Sequence, residues 1–177
     1  MTPPIGDRAP APALHWVGLL YRALNPRWAA EPLSGEGARR HGGRFNRPGR
    51  SALYTATHIL TALREAGQVG EPLQPTTLVS YDADLWPIFD ATDPVALASR
   101  GVAADMLAAD DWRLGMLKEG VAPTQALAEE MISEGYAGML TPSYARGAPA
   151  SATNLVLWRW GGGQTRLTLN DSDHRLG

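Results

Sequence analysis

The feature that most constrains this chain is a glycine- and arginine-rich stretch that runs from Ser34 to Asn46. Four glycines fall within nine residues, which indicates a backbone that adopts positive φ or lets another group approach closely. Guanidinium groups beside exposed backbone N–H groups suit an anion such as a pyrophosphate, although a surface turn with solvated arginines fits equally well. The only acidic neighbour is Glu36, and the flanking arginines are Arg39, Arg40, Arg44, Arg47 and Arg50.

The glycine spacing matches neither of the two common phosphate-binding motifs. No Gly-Lys-Ser/Thr follows, which excludes a Walker loop, and the glycines lack the Rossmann spacing before a helix. The arginines nevertheless concentrate in the first third of the chain. Nine lie between Arg8 and Arg64, against only Glu31 and Glu36. Because the net charge of the whole chain is -2, this asymmetry predicts a local anion site rather than a nucleic-acid-binding surface.

Length and composition predict one ordinary globular domain. A chain of 177 residues is long enough to bury a core, and no apolar run approaches the length that spans a bilayer. The absence of cysteine and the scattered histidines argue against a disulfide framework and against a metal site. Residues 1–13 lack the basic head and apolar stretch of a signal peptide, so we expect a flexible leader and a cytoplasmic protein.

The pattern after the leader predicts an apolar first strand and, later, an informative helix. The strand covers Leu14–Tyr21 and ends next to Arg22. A short strand over Ser51–Ala56 leads into a helix capped by Thr57 and ended by Gly67. Helical periodicity assigns the core side to Ile59, Leu60, Leu63 and Ala66. Glu65 then lies on the opposite side, either solvated or facing a cleft against the arginine-rich stretch.

The remaining elements predict an α+β fold with short mixed strands and peripheral helices. Strands are expected over Thr76–Tyr81, Ile88–Ala91 and Gly138–Thr141, and helices over 94–100, 101–110 and from Pro123 to Gly135. An irregular connection is expected from Asp111. A hairpin is predicted from Asn154–Trp160 and Gln164–Asn170, joined by three glycines, before a polar tail over 171–177.

A series of short motifs, taken in chain order, resembles the RES-domain toxins of RES–Xre toxin–antitoxin pairs. The Ser34–Asn46 stretch is long and specific, and weaker pieces occur in the expected order over about residues 15–160, within a domain that we place at 14–170. These pieces are Tyr21-Arg22, Ala52-Leu53-Tyr54, Glu65, Thr124-Gln125, Thr141-Pro142-Ser143 and Asn154-Leu155-Val156-Leu157.

This resemblance implies a fold similar to the diphtheria-type ADP-ribosyltransferases and an enzyme that consumes NAD+ as its substrate, without a metal. It implies a toxin that cleaves the nicotinamide–ribose bond and transfers ADP-ribose to an acceptor, with a host protein slightly favoured. NAD+ glycohydrolase or phosphorylase activity is the alternative within this class. The implied partner is an antitoxin with a helix-turn-helix domain, which would block the cleft; no direct nucleic-acid binding and no membrane association are expected.

The family is named for an arginine, a glutamate and a serine, which the resemblance matches to Arg22, Glu65 and Ser143. Other members carry the serine before a helix start, where this chain has Ala122, Pro123 and Thr124. A carboxylate such as Glu65 stabilises the oxocarbenium character that develops at the ribose carbon.

The other candidate residues would bind the rest of the dinucleotide. Arg22 and Arg44 suit the pyrophosphate, with close backbone approach at Gly35 and Gly37, and Tyr54 suits the nicotinamide ring. Ser34 and Asn46 are weaker candidates for the same NAD+ site, since both also suit loop capping. A function of another class remains open, namely a non-catalytic module that docks an acidic partner through the arginine-rich stretch.

Overall fold

The computed structural model describes residues 12–70 and 72–176, which form six strands around a barrel-like core. The strands are β1 (Leu14–Leu24), β2 (Leu53–Ala56), β3 (Thr77–Asp90), β4 (Gly138–Pro142), β5 (Thr153–Leu157) and β6 (Thr165–Leu169). The sheet order is β1-β2-β5-β4-β3-β6, and β1 also pairs with β3, so five of the strands close into a ring. All neighbours are antiparallel except β3 and β4.

Two apolar clusters lie on opposite sides of the strands, and β5 contributes side chains to both of them. Leu155 and Leu157 pack inside the ring, whereas Val156 between them packs outward beneath the helices. Successive side chains of a strand point to opposite faces, so a strand that is covered on both faces is apolar throughout. The inner cluster also receives Tyr81 and Leu85 from β3, and its outward neighbours Asp82 and Asp84 are polar.

In the described part of the chain, six helices surround this barrel. They are α1 (Glu36–His41), α2 (Ile59–Glu65), α3 (Pro94–Ser99), α4 (Ala104–Ala108), α5 (Trp112–Glu119) and α6 (Pro123–Ser133), with a 3-10 turn over Pro26–Trp28. The predicted start of α3 is confirmed, because the Asp93 side chain accepts a hydrogen bond from the backbone N–H of Val95. Gly135 has a φ of 95° just beyond α6, as expected of a glycine that ends a helix. Among the described residues, no helix is long and apolar enough to cross a membrane.

The α+β prediction with short mixed strands and peripheral helices is confirmed, but several elements differ. The two strands predicted over Thr76–Tyr81 and Ile88–Ala91 form one strand, β3. The predicted hairpin of Asn154–Trp160 and Gln164–Asn170 is wrong, because β5 pairs with β2 and β4 on its two sides and β6 pairs with β3. The irregular connection predicted from Asp111 is wrong as well, since α5 begins at Trp112.

The predicted core side of α2 is also wrong. Ile59 and Leu60 are 45% and 59% exposed, while Thr61 and Ala62 are buried. Small side chains let the helix lie close to the β1–β2 corner, and the larger apolar side chains face solvent. This rotation turns the side of α2 that carries Glu65 toward the strands.

The ends of the predicted domain are only partly described. Of the predicted leader 1–13, residues 1–11 lie outside the described residues, while the carbonyl of Pro12 accepts a hydrogen bond from the Tyr136 hydroxyl. At the other end, Asp171 accepts hydrogen bonds from the backbone N–H groups of Arg175 and Leu176, and Leu176 packs against the inner cluster. The boundaries 14–170 and the tail 171–177 remain predictions.

Candidate active site

A cleft of about 190 Å³ lies between α2 and the β1–β2–β5 corner of the barrel. Its volume is below the ~300–1,000 Å³ of common ligand pockets, so the cleft can enclose only part of a dinucleotide. The lining side chains come from elements far apart in sequence: Tyr21, Arg22 and Ala23 of β1; Tyr54, Thr55 and Ala56 of β2; Ala62, Glu65 and Ala66 at α2; and Asn154 of β5.

Glu65, at the end of α2, is held by two donors on one of its oxygens. Ser143 Oγ donates to Glu65 Oε1 over 2.6 Å, and Asn154 Nδ2 donates to the same oxygen. Ser143 follows the last residue of β4, and Asn154 lies on β5, so adjacent antiparallel strands supply both donors. The sequence left Glu65 either solvated or facing a cleft, and the structure shows an exposed residue that lines the cleft. Ser143 rather than Thr124 of α6 is the hydroxyl beside it.

Arg22 lies in the same cleft and is oriented by the start of the glycine-rich stretch. Its Nη1 donates to the carbonyl oxygens of Pro32 and Ser34, over 3.1 and 3.2 Å. The Tyr81 hydroxyl donates to the Pro32 carbonyl from the barrel interior, where burial raises the pKa of this phenol. Within the described part of the chain, Arg22 Nε and Nη2 make no protein hydrogen bond. These two groups remain available to an anion in the cleft.

Tyr54 contributes its ring to the cleft, while its hydroxyl has a structural role. The hydroxyl donates to Asn46 Oδ1 over 2.7 Å and accepts from the backbone N–H of Phe45 over 3.0 Å. Burial strongly raises the pKa of Tyr54, so the phenol stays neutral at physiological pH. The expected stacking role of the ring is compatible with this position, whereas the hydroxyl is already engaged.

Asn46 is fully buried beneath the stretch and is not among the residues that line the cleft. Its Nδ2 donates to the carbonyls of Ala38 and Arg50 over 2.8 Å each, and more weakly to that of Arg47. Gln125 of α6, also fully buried, donates to the carbonyls of Gly43 and Asn46. These two amides satisfy the backbone of the stretch from within. The structure thus places Asn46 behind the cleft wall and not in the cleft.

Three of the four glycines of the stretch, Gly35, Gly42 and Gly43, are required by close packing or by backbone conformation. A Cβ at Gly35 would lie 2.6 Å from Cη2 of Trp160, and Gly42 ends α1 with a φ of 72°. A Cβ at Gly43 would collide with the Tyr54 hydroxyl, whereas one at Gly37 would meet nothing within 4 Å. The side chain of Ser34 accepts from the backbone N–H of Glu36. Gly35, Gly37 and Ser34 are not among the residues that line the cleft.

Two carboxylates of the protein pair with four of the arginines. Arg39 and Arg40 donate to Glu36 over 2.6 and 2.8 Å, and the hydrogen bond from Arg39 contributes most to lowering the pKa of Glu36 to about 2. Arg50 forms a bidentate salt bridge with Glu129, and Arg47 Nε lies 3.6 Å from Oε1 of the same carboxylate. These pairs weaken the expectation of a free anion site on the outer surface of the stretch.

Arg44 is likewise committed to the protein. Its Nη1 donates to the carbonyls of Leu107 and Ala109, over 2.9 and 2.7 Å, and its guanidinium carbon lies 4.7 Å from the centre of the Tyr144 ring. The arginine thereby joins the stretch to the end of α4. It does not line the cleft that contains Arg22 and Glu65.

The sequence interpretation assigned no role to Asn154, although Asn154 opens one of the quoted motifs. The only available signal was a polar residue at the start of an otherwise apolar strand. Among the described residues, no group of three or more His, Cys, Asp or Glu side chains could hold a metal ion. The cleft thus offers one carboxylate, one arginine, hydroxyl and amide donors, and an aromatic ring.

Comparison with known proteins identifies the family of the chain. A search of curated proteins finds no match. Among solved structures, the chain is similar to a chain of the crystal structure of the M. tuberculosis MbcT–MbcA toxin–antitoxin complex, with a TM-score of 0.67 and 26% sequence identity. The alignment covers 90% of this chain and 84% of that one. The family model of the RES domain matches residues 19–173 and includes every residue that lines the cleft, and the chain therefore belongs to the RES domain family.

Proposed function

We propose that this protein is the toxin of a toxin–antitoxin pair and that it cleaves NAD+ at the nicotinamide–ribose bond. The observation that carries this proposal is that one cleft contains both Arg22 and Glu65, and that Ser143 and Asn154 hold the Glu65 carboxylate by hydrogen bonds. Membership of the RES domain family and the similarity to a chain of a toxin–antitoxin complex support it.

The residue chemistry suits this reaction. When the N-glycosidic bond breaks, its electron pair moves to the pyridinium nitrogen, and nicotinamide leaves as a neutral molecule. The positive charge that develops at the ribose carbon is stabilised by the Glu65 carboxylate. Arg22 binds a phosphate oxygen, and the Tyr54 ring packs against the nicotinamide. The acceptor then attacks the ribose carbon and loses its proton to solvent.

The acceptor that we favour is a side chain of a host protein, which would make the enzyme a mono-ADP-ribosyltransferase. This preference rests on analogy with enzymes of similar fold. Water would instead yield free ADP-ribose, and phosphate would yield ADP-ribose 1-phosphate. All three outcomes require the same bond cleavage in the same cleft.

Nicotinamide release from NAD+ by the purified protein tests the cleavage step. We expect release by the wild type, little or none by Glu65→Gln, and wild-type release by Glu119→Gln, whose carboxylate is exposed on α5. NAD+ labelled in the adenylate half, incubated with cell extract and phosphate, then distinguishes protein-bound label, free ADP-ribose and ADP-ribose 1-phosphate. Equal release by wild type and Glu65→Gln would refute the role of this carboxylate.

We further propose that a cognate antitoxin, with a helix-turn-helix domain, covers the cleft. Exposed apolar side chains beside the cleft support a protein partner there: Leu19, Ile59 and Leu60 are 45%, 45% and 59% exposed. Leu60→Asp should weaken inhibition by the antitoxin, whereas Leu117→Asp, at an exposed site on α5, should not. Normal NAD+ binding by the toxin–antitoxin complex would refute this mode of inhibition.

The alternative of a binding module that docks an acidic partner through the arginine-rich stretch is not favoured. Glu36 and Glu129 already pair with Arg39, Arg40 and Arg50. A module of this kind would also retain its function in Glu65→Gln.

A further inference from the structure

Asn154 is the cleft residue to which the sequence interpretation gave no role, and its backbone is rigidly placed. It lies on β5 between two antiparallel neighbours, opposite Ala56 of β2 and Thr141 of β4. Pairing on both sides fixes the direction in which its side chain leaves the strand. The amide therefore reaches Glu65 from a position that the fold determines and not from a mobile loop.

The hydrogen bonds at Glu65 distinguish its two oxygens. Ser143 Oγ and Asn154 Nδ2 both donate to Oε1. No hydrogen bond from the described residues reaches Oε2. A carboxylate held through one oxygen by two donors keeps its orientation and presents the other oxygen to a ligand.

The amide oxygen of Asn154 indicates that this arrangement lowers the stability of the fold. Asn154 Oδ1 is buried and has no hydrogen-bond partner among the described residues. An unpaired buried acceptor destabilises a folded protein. Asn46 provides the contrast, because its Nδ2 and Oδ1 both have partners. Turning the Asn154 amide around would set its carbonyl oxygen against the carboxylate of Glu65, so the amino group must face Glu65 and leave Oδ1 unpaired.

We infer that Asn154 is a positioning residue for Glu65, one that holds the carboxylate in the rotamer in which Oε2 faces the ribose of NAD+. This inference rests on the proposed function. Because Asn154 acts through Glu65, its removal should impair the transition state more than substrate binding. A displacement of about 1 Å at a reacting group can lower the rate about 100-fold.

The test is steady-state nicotinamide release by Asn154→Ala and Asn154→Asp, with Asn170→Asp as a matched control at an exposed asparagine. We expect about 10- to 100-fold lower kcat for Asn154→Ala, with KM for NAD+ changed less than threefold. Asn154→Asp should be at least as impaired, because its carboxylate repels Glu65 as well as lacking the donor. A purely structural role predicts the reverse order, since aspartate keeps the volume of asparagine.

Comparison with Glu65→Gln separates this inference from the proposed function. If the wild type releases nicotinamide and Glu65→Gln does not, the proposed function stands. A kcat of Asn154→Ala equal to that of the wild type would then overturn only the inference about Asn154. A cooperative thermal unfolding transition shows that a variant is folded. If Asn154→Ala does not fold, the kcat of Asn154→Asp, compared with that of Asn170→Asp, tests the inference instead. Absence of release by the wild type overturns both proposals.

Discussion

Replacing Asn46 by leucine should unfold the chain more readily without touching the reacting groups. The structure gives this amide three strong contacts: Nδ2 to the carbonyls of Ala38 and Arg50 at 2.8 Å, and Oδ1 to the Tyr54 hydroxyl at 2.7 Å. Leucine has a similar size but makes none of these contacts. A buried polar group left without a partner costs ~1–3 kcal/mol. The three contacts of Asn46 are only partly buried, so at about 1–2 kcal/mol each we expect a loss of about 3–6 kcal/mol in the free energy of unfolding.

Urea unfolding, followed by tryptophan fluorescence, measures this loss. The chain has six tryptophans, and among them Trp158 is buried and donates through Nε1 to the carbonyl of Phe45, so the emission includes a reporter in contact with the stretch. Since ΔG falls by ~1–3 kcal/mol per M urea, the midpoint should fall by about 2 M. Asn170→Leu, at an exposed asparagine, serves as the control and should change the midpoint little.

The opposite pattern would refute the structural role of Asn46. If Asn46→Leu lost less than about 1 kcal/mol, below the cost of a single unpaired buried group, and yet raised KM for NAD+ tenfold or more, Asn46 would contact the substrate. That outcome is what its assignment as an NAD+-binding residue in the sequence predicts. The two roles therefore differ in both measurements.

Three further outcomes follow from the same geometry. Gly35→Ala should destabilise the protein by ~1–3 kcal/mol in urea unfolding because its Cβ would lie 2.6 Å from Trp160, whereas Gly37→Ala, with open space inside α1, should be neutral or stabilising. Since the folded-state pKa of Glu36 is lowered to about 2, its contribution to stability is present above the unfolded value of 4.5 and is lost as pH falls toward 2. Glu36→Gln should remove that part of the acid-unfolding curve, and an unchanged curve would contradict it. Ser143→Ala should lower kcat by about 10-fold, because Asn154 still holds the carboxylate; a loss equal to that of Glu65→Gln would show that Ser143 acts on the substrate itself.

Local sequence patterns predicted most elements of the fold but not which strands pair. β-Branched and aromatic content predicted two strands here, but β3 is one strand and continues through Pro87, although proline lacks the N–H that a strand pairs with. In the structure, Pro87 lies where β3 stops pairing with β6, after Leu85, and starts pairing with β4, at Ile88. The missing N–H falls at this change of neighbour. Likewise, the alternation over Thr165–Leu169 predicted a strand, but alternation contains no information about its partner.

Helix periodicity failed where apolar side chains are not buried. In α5, Trp112 is buried but Leu114 and Leu117 are 50% and 78% exposed, so the apolar residues do not mark one side of a helix, and α5 was missed. In α2, the apolar residues are exposed, and Thr61 and Ala62 make the buried contact. Periodicity identifies a core-facing side only when the larger apolar residues are the buried ones.

In the candidate site, the sequence predicted which residues lie together but not which hydrogen bonds they make. The order of motifs predicted that Arg22, Glu65 and Ser143 belong to one site, and the structure brings Glu65 and Ser143 into contact and places Arg22 in the same cleft. The sequence could not reveal that Arg44 would be bound to main-chain carbonyls or that Asn154 would reach Glu65. Both facts depend on contacts between residues more than 60 positions apart.

The glycine- and arginine-rich stretch orients side chains of the cleft through hydrogen bonds made outside the cleft itself. The carbonyl of Ser34, at one end, accepts from Arg22, and Asn46, at the other end, accepts from the Tyr54 hydroxyl. The stretch thereby orients one charged and one aromatic wall of the cleft. Because these contacts use a main-chain oxygen and a buried amide, they require the backbone path that the close packing at Gly35 and Gly43 permits. Substitutions that break either contact should therefore impair activity by displacing Arg22 or Tyr54, even where the substituted residue never meets the substrate.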